Sequence, residues 1–272
     1  MTVADALRAA TERLTATSGT ARLDAELLMA HALGTERSAM LLRSMRDPAP
    51  AGFDALVKRR EGHEPVAHIL GQQEFFGRAF AVTPDTLIPR GDSEVLVEAA
   101  LELKPDAARV LDMGTGSGAL LLSVIAETRA TGVGTDCSPA ALAVAHGNAD
   151  RLGVEERVRF HLLDWRRPGW AENLGKFDLV LCNPPYVEED AVLDADVRDF
   201  EPHSALFSGP EGLDDYRILV PQLRNLLTEQ GAAILEIGHE QSAAVTDIAR
   251  AAGFDVAGRK DLANRPRALI LT

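Results

Sequence analysis

Cysteine is nearly missing from this chain: Cys137 and Cys182 are the only two among 272 residues, and neither belongs to a cluster with metal-ligand spacing. A disulfide framework is thereby excluded, and reduced thiols without metal chemistry are expected. Neither thiol has a basic neighbour to activate it, so both read as small apolar filler and not as nucleophiles. No run of about 18 apolar residues exists to span a membrane. The opening stretch MTVADALRAATERL mixes acids and bases as an amphipathic helix does, unlike a signal peptide. A soluble, cytoplasmic protein is expected. The seven histidines are scattered outside any motif, so no nucleophilic triad is visible, and internal repeats and low-complexity linkers are missing too.

Basic charge is also in short supply. The net charge is −13, yet residues 1–72 carry nine Lys/Arg and nine Asp/Glu, so the whole excess of acid falls on residues 73–272. Nucleic-acid affinity rests on basic groups meeting phosphates, and a long polyanion would be repelled by that second part.

What is present is an apolar supply, 46% of residues, large enough for a well-buried α/β domain and a smaller one. The first 72 residues show helical spacing only. Val3, Leu7, Ala10 and Leu14 share one face, and Leu23, Leu27, Ala30 and His31 another, with Gly34 as a stop. Further helices are expected over 38–46 and 53–61, making a small helical bundle. Its Lys58-Arg59-Arg60 run reads either as a solvated face or as a partner-binding patch. Residues 73–89, QEFFGRAFAVTPDTLIP, suggest a bridging hairpin. From 90 to 272 short apolar runs (RVLDMG, GVGTD, VRFHLLD, FDLVLCN, AAILEIG) alternate with helical stretches, which argues for a mostly parallel, doubly wound Rossmann-like sheet. FDVAGRKD and RPRALILT are expected to close it as an antiparallel pair.

In such a sheet ligands bind beyond the carboxyl ends of the strands. Asp112-Met113-Gly114-Thr115-Gly116-Ser117-Gly118 follows the first strand of the alternating region and opens a helix, where glycine lets backbone approach a ligand closely. Its G-x-G-x-G spacing departs from the G-x-G-x-x-G of dinucleotide binders. Asp112 suits a ligand with an amino group or sulfonium better than one with phosphates. Asp136, 20 residues beyond Gly116, ends the second strand where an acid can accept from both ribose hydroxyls; it also precedes Ser138-Pro139, a good helix start, so a capping role is open. Asp164, after the third strand, is placed for an adenine amino group, and Trp165 beside it offers a stacking face. Together these residues describe an adenosine pocket without phosphates, for which S-adenosylmethionine is the best fit.

The fourth strand delivers Asn183-Pro184-Pro185-Tyr186 to the same rim. Proline cannot donate to a sheet ladder, so the pair ends the strand. Beyond a stiff turn, the motif offers an acceptor pair, the Asn183 side-chain oxygen and the Pro184 carbonyl. These can hold both N–H groups of an amide or an aromatic amine and orient its nitrogen toward a methyl donor. Tyr186 is placed to pack on the planar group.

The combination resembles class I, Rossmann-like S-adenosylmethionine-dependent methyltransferases that act on amino nitrogen. ARLDAELLMAHALG (21–34), EPVAHILGQQEFFGRAFAVTPDTLIPR (64–90), VLDMGTGSGALLLSV, NPPYV, FEPHSALFSGPEGLDDYR (200–217) and KDLANRPRALIL extend the resemblance over essentially the whole chain, to the HemK/PrmC family of protein-glutamine methyltransferases. The resemblance implies a helical substrate-docking domain (1–72), a bridging hairpin (73–89) and a methyltransferase domain (90–272). It further implies that Gly114 to Gly118 and Asp136 hold the methyl donor, that Trp165 and Asn183 contact it, and that Asn183 to Tyr186 bind a glutamine side chain. S-adenosylhomocysteine would be the product and class I peptide chain release factors the partners, modified at the glutamine of their Gly-Gly-Gln loop. A monomer with no direct nucleic-acid contact is expected. Phe75 and Phe76 either wall the substrate side or pack between domains. Two positions depart from the family pattern: Gly91 replaces a usual proline and Asn264 a frequent glycine.

Two other readings stand beside this one. An amino methyltransferase acting on adenine or guanine would share the Asn-Pro-Pro-Tyr marker, but residues 187–201 hold seven acids and one arginine directly after it, a poor surface for phosphates and a better one for a basic loop. A non-catalytic adenosine-binding module would not need that motif.

Overall fold

The computed structural model describes residues 1–272, which divide into two compact units: Met1–Gln72 with Leu193–Phe200, and Gln73–Val192 with Glu201–Thr272. The smaller is helical, with α1 (Val3–Leu14), α2 (Ala21–Leu33), α3 (Arg37–Arg43), α4 (Phe53–Glu61), α5 (Val66–Leu70) and a further short helix over Ala195–Phe200. A capping box starts α1, the Thr2 hydroxyl accepting the Asp5 amide while Asp5 accepts the Thr2 amide. Gly34, at φ 63°, ends α2 as its position suggests. The predicted face of α1 is buried against Leu28, Met29, Met40 and Val57. The third helix is shorter than the 38–46 expected: it stops at Arg43 because the carbonyls of Met45 and Asp47 accept the Ala4 and Val3 amides at the start of α1.

The basic run of α4 is internally neutralised. Lys58 pairs with Asp54 and Arg59 with Glu64. Arg60 is buried, its guanidinium 2.8 Å from Asp24 and 3.5 Å from Asp196. Asp24 also accepts the Ser18 and Thr20 hydroxyls at 2.8 Å each, so this buried charge is fully tied.

In the larger unit β1 (Gln72–Phe75) and β2 (Arg78–Ala81) form a two-stranded sheet around Phe76 and Gly77, both at positive φ. The ladder ends at Ala81, well before residue 89: Pro84 and Pro89 lack the N–H a longer pairing would use. Then come α6 (Glu94–Leu103), β3 (Arg109–Met113), α7 (Ala119–Glu127), β4 (Thr131–Asp136), α8 (Pro139–Leu152), β5 (Val158–Leu162), β6 (Phe177–Cys182), β7 (Leu227–Glu236), β8 (Val256–Lys260) and β9 (Pro266–Leu271).

These last seven strands form one sheet in the order β5-β4-β3-β6-β7-β9-β8. It is parallel through β7, while β9 runs antiparallel to both β7 and β8, the closing pair anticipated from the sequence. Successive residues of the central strands feed two apolar cores. Val110, Leu179 and Leu181 pack on the side of Leu96, Leu121 and Ile125; Leu111, Met113, Val180 and Cys182 pack on the side of Tyr216, Leu219 and Val245. Both faces of the sheet are therefore covered, which is why these strands read as continuous apolar runs.

The chain enters this sheet at its centre, builds outward to β5, and returns to pair β6 against the other edge of β3, with Met113 level with Cys182. The switch in strand order therefore lies between the ends of β3 and β6, and the next residues are Gly114 and Asn183. Asn148 of α8, wholly buried, braces this end. Its Oδ1 accepts the Ala81 amide at 2.7 Å, and its Nδ2 donates to Ala81 at 3.0 Å and to Ser117 of the glycine loop at 2.8 Å. Asn148→Ala leaves the buried Ser117 carbonyl and the half-buried Ala81 groups unpaired, and urea unfolding should show a loss of about 1–3 kcal/mol.

Candidate active site

A solvent-open cleft, with about 1150 Å³ of empty space when its open mouth is counted, lies at the switch point. Its wall includes Gly114, Thr115, Gly116, Ser117, Asp136, Asp164, Trp165, Asn183, Pro185 and Phe75. Residues taken from four strand ends and the hairpin are thus brought together. Asp112, Gly118, Phe76, Pro184 and Tyr186 stand behind that lining, and each has an evident local task.

Gly114, Gly116 and Gly118 adopt φ of 71°, 55° and 83°, conformations that explain the residue type at all three positions. The loop's amides are largely spent on the protein itself. Gly114 and Thr115 donate to the Thr135 carbonyl at 2.8 and 2.9 Å, Gly116 to Asp136 at 2.9 Å, and Gly118 to Thr115 at 2.7 Å. A phosphate would find these four donors taken, whereas a ligand that needs van der Waals approach and a carboxylate partner would not. Close approach is visible at Gly114, where an added Cβ would lie 3.0 Å from the Trp165 ring.

Asp136 accepts Gly116 N–H on one oxygen and Ser138 N–H on the other, both at 2.9 Å. Ser138 is itself the cap of α8, accepting the Ala141 amide at 3.1 Å, so capping and loop-holding fall to neighbouring residues. Burial raises the Asp136 pKa while the backbone donors oppose that rise. Asp164 accepts the Arg166 amide at 2.9 Å. The Trp165 indole donates to Asp215 at 2.8 Å.

Asn183 follows the last residue of β6, and its carboxamide has no hydrogen-bond partner within the protein. Tyr186 turns its hydroxyl to Glu236 at 3.2 Å and its ring toward the second core. Its carbonyl accepts Gln241 Nε2 at 2.9 Å. Gly212, at φ 65°, passes so near that carbonyl that a side chain would collide with it. Pro184 is buried, and Gly118 abuts Leu122 at the start of α7. Phe76 is held by its amide donating to Glu94 at 2.8 Å. Phe75 meets Phe80 edge to face at 6.1 Å, inside the larger unit. Cys137 lines the cleft as a free thiol whose pKa burial raises, and Cys182 is free and buried.

Several residues that hold the site were passed over in the sequence. Glu201, inside the acidic run, is buried and accepts the Ile88 amide at 2.9 Å and the Arg90 guanidinium. It fastens the 85–90 wall of the cleft to the 202–205 wall. Asp92 pairs with Arg267 at 2.9 Å and Arg265 at 3.3 Å, which anchors the turn containing Gly91 without the proline usual there. Asn264 takes φ 63° in place of glycine. Gln241 and Asp215 lie in stretches whose only visible signal was an unexplained polar residue amid helical spacing.

The family described as a methyltransferase domain matches residues 104–250, so fold and cleft together define a methyltransferase. The family described as PrmC N-terminal domain matches residues 5–71. Curated relatives carry the name release factor glutamine methyltransferase. That of Cereibacter sphaeroides is 44% identical over 262 residues (93% of this chain, 92% of that one), and that of Bordetella pertussis 43% identical over 263 residues (93% and 96%). The chain belongs to the release factor glutamine methyltransferase family. Among solved structures, the hMettl16 catalytic domain in complex with a MAT2A 3'UTR hairpin shares the fold, with a TM-score of 0.58 at 14% identity, covering 80% of this chain and 81% of that one.

Asp112 gives the site a pH dependence. It is buried under the loop, one oxygen accepting the Thr115 hydroxyl at 2.6 Å and the other without a partner, and desolvation pushes its pKa to about 7. The folded state then holds a proton that the unfolded chain releases near pH 4, so stability falls as pH rises from about 4 to about 7. Asp112→Asn should abolish that part of the slope in unfolding titrations run across this window; an unchanged slope would assign it elsewhere.

Proposed function

We propose that this chain transfers the methyl group of S-adenosylmethionine to the side-chain amide nitrogen of the Gly-Gly-Gln glutamine in class I peptide chain release factors, acting as a monomer in the cytoplasm. The observation that carries this reading is the abutment of the glycine loop and Asn183-Pro184-Pro185 at the switch between β3 and β6. Relatives named for release factor glutamine methylation supply the substrate.

The residues fit the donor. The Gly114–Gly118 loop has little left for phosphates, and each oxygen of Asp136 keeps accepting capacity beyond its one backbone bond, enough for two ribose hydroxyls. Asp164 and the Trp165 ring are assigned to the adenine side. Asp112, with one unpartnered oxygen beneath the loop, lends negative potential favourable to a cationic ligand in its ionised form, which prevails above about pH 7. When bound, S-adenosylmethionine supplies an electrophilic methyl group on a sulfonium.

The chain's own task is to make an amide nitrogen available. That nitrogen's lone pair is delocalised into the carbonyl and is a poor nucleophile. The free Asn183 oxygen and the Pro184 carbonyl accept its two N–H groups, favouring a pyramidal nitrogen whose lone pair faces the donor side of the cleft. Pro184 and Pro185 fix the backbone so that these acceptors need no reorganisation. Tyr186, tied through Glu236 and Gln241 with its ring against the second core, holds the motif's exit from behind the cleft instead of packing on the amide, while Phe75 and Phe76 support the substrate side. The helical unit is the proposed docking domain. Glu188, Glu189 and Asp190 are exposed just after the motif, which favours a basic protein loop over a nucleic acid.

Labelled S-adenosylmethionine offered with release factor, and separately with bulk RNA and DNA, should label the protein alone; label confined to nucleic acid would overturn the reading. Asn183→Ala should lower turnover by about 100-fold or more, the scale for losing a preorganised acceptor or donor, while affinity for S-adenosylhomocysteine changes little. Asp136→Ala should do the reverse in titration, weakening that affinity by roughly tenfold or more.

A further inference from the structure

Asp215 lies outside the cleft lining and was given no role by the sequence, yet its wholly buried carboxylate accepts four hydrogen bonds from fixed groups of the protein. One oxygen accepts Trp165 Nε1 at 2.8 Å and Arg166 Nε at 3.1 Å. The other accepts Arg166 Nη2 and the Ser208 hydroxyl, both at 2.8 Å. The Asp215 amide in turn donates to Ser208 Oγ at 2.8 Å. A carboxylate has about four acceptor sites, and here all are filled by fixed groups of the protein.

Those groups belong to two different segments, one lining the cleft and one behind it. Trp165 and Arg166 line it, with Gly114 against the Trp165 ring. Ser208 belongs to the segment that pairs with the exit of the Asn183–Tyr186 motif. Its amide donates to the Val187 carbonyl at 2.9 Å, and the Leu206 carbonyl accepts the Tyr186 and Val187 amides at 3.1 and 2.8 Å. Val187 and Phe207 form a parallel bridge.

We infer that Asp215 is a positioning residue that keeps the donor wall and the acceptor motif in register, so that one buried carboxylate sets the distance across which the methyl group passes. This rests on the assignment of Trp165 to the donor and of Asn183–Tyr186 to the glutamine. Arg166 neutralises the buried charge, and the four bonds leave the carboxylate one orientation. An asparagine there has one oxygen and an NH₂ group; the Ser208 hydroxyl can accept from that NH₂, but Arg166, which bonds both oxygens, only donates, so in either orientation one Arg166 N–H faces an NH₂ and the charge pairing is lost.

Asp215→Asn should therefore raise both the Kd for S-adenosylhomocysteine and the KM for release factor, each by roughly tenfold. Trp165→Phe should move chiefly the first and Ser208→Ala chiefly the second. Because the two side chains share one carboxylate, the double variant should depart from additivity in both constants. An Asp215→Asn enzyme that melts as a folded protein and shifts only one constant, or neither, overturns the assignment. If that variant does not fold, strict additivity of Trp165→Phe and Ser208→Ala overturns it. The proposed function fails separately, if the wild-type enzyme places no methyl group on release factor.

Discussion

Because β6 returns to the free edge of β3 instead of extending the sheet beyond β5, Met113 and Cys182 lie side by side and the two segments that follow them open into the same space. Everything else in the larger unit depends on that register. A shift of one residue would turn the core-facing side chains of β6 onto the opposite face, and would carry Asn183 away from Gly114. The register is held by apolar contacts on both faces: Leu179 and Leu181 on one, Val180 and Cys182 on the other. Interior residues with no chemistry of their own therefore set the spacing of those that have some.

Around this apolar frame the site is secured by buried and half-buried carboxylates that accept from donors of the protein itself. Asp136 holds the glycine loop to the start of α8, Glu201 joins two walls of the cleft, and Asp215 ties Trp165 to the segment behind Tyr186. Asp112 and Glu236 each keep one buried oxygen without a partner, and burial raises the proton affinity of both. The same loop spends its amides on Thr135 and Asp136. That is how a glycine-rich turn of familiar look comes to be a poor phosphate cradle.

The elements that could be read from the sequence are those whose signal is local. Periodicity marked the strands and helices, glycines at positive φ marked the loop, and Asn183-Pro184-Pro185-Tyr186 marked the end of β6. What escaped was non-local pairing. Glu201 meets Ile88 across 113 positions and Asp215 meets Trp165 across 50, and nothing in a linear string distinguishes such acids from solvated ones. The acidic run 187–201 looked uniform, but it divides into exposed Glu188 to Asp190, Asp196 paired with Arg60, and buried Glu201. Lys58-Arg59-Arg60 likewise dissolved into three separate ion pairs. Charge counts survive folding; charge availability does not.

Residues 193–200 cluster with the helical unit although they lie far beyond it in the chain, where Asp196 meets Arg60. The polypeptide consequently passes from one unit to the other three times, after residues 72, 192 and 200. A gene cut at codon 72 does not yield two self-sufficient halves, for the downstream product keeps a helix whose partners were discarded. Recombination at a single boundary could not exchange the N-terminal unit between homologues without mismatching that helix. Inheritance of the two parts together is thus written into the connectivity of the chain.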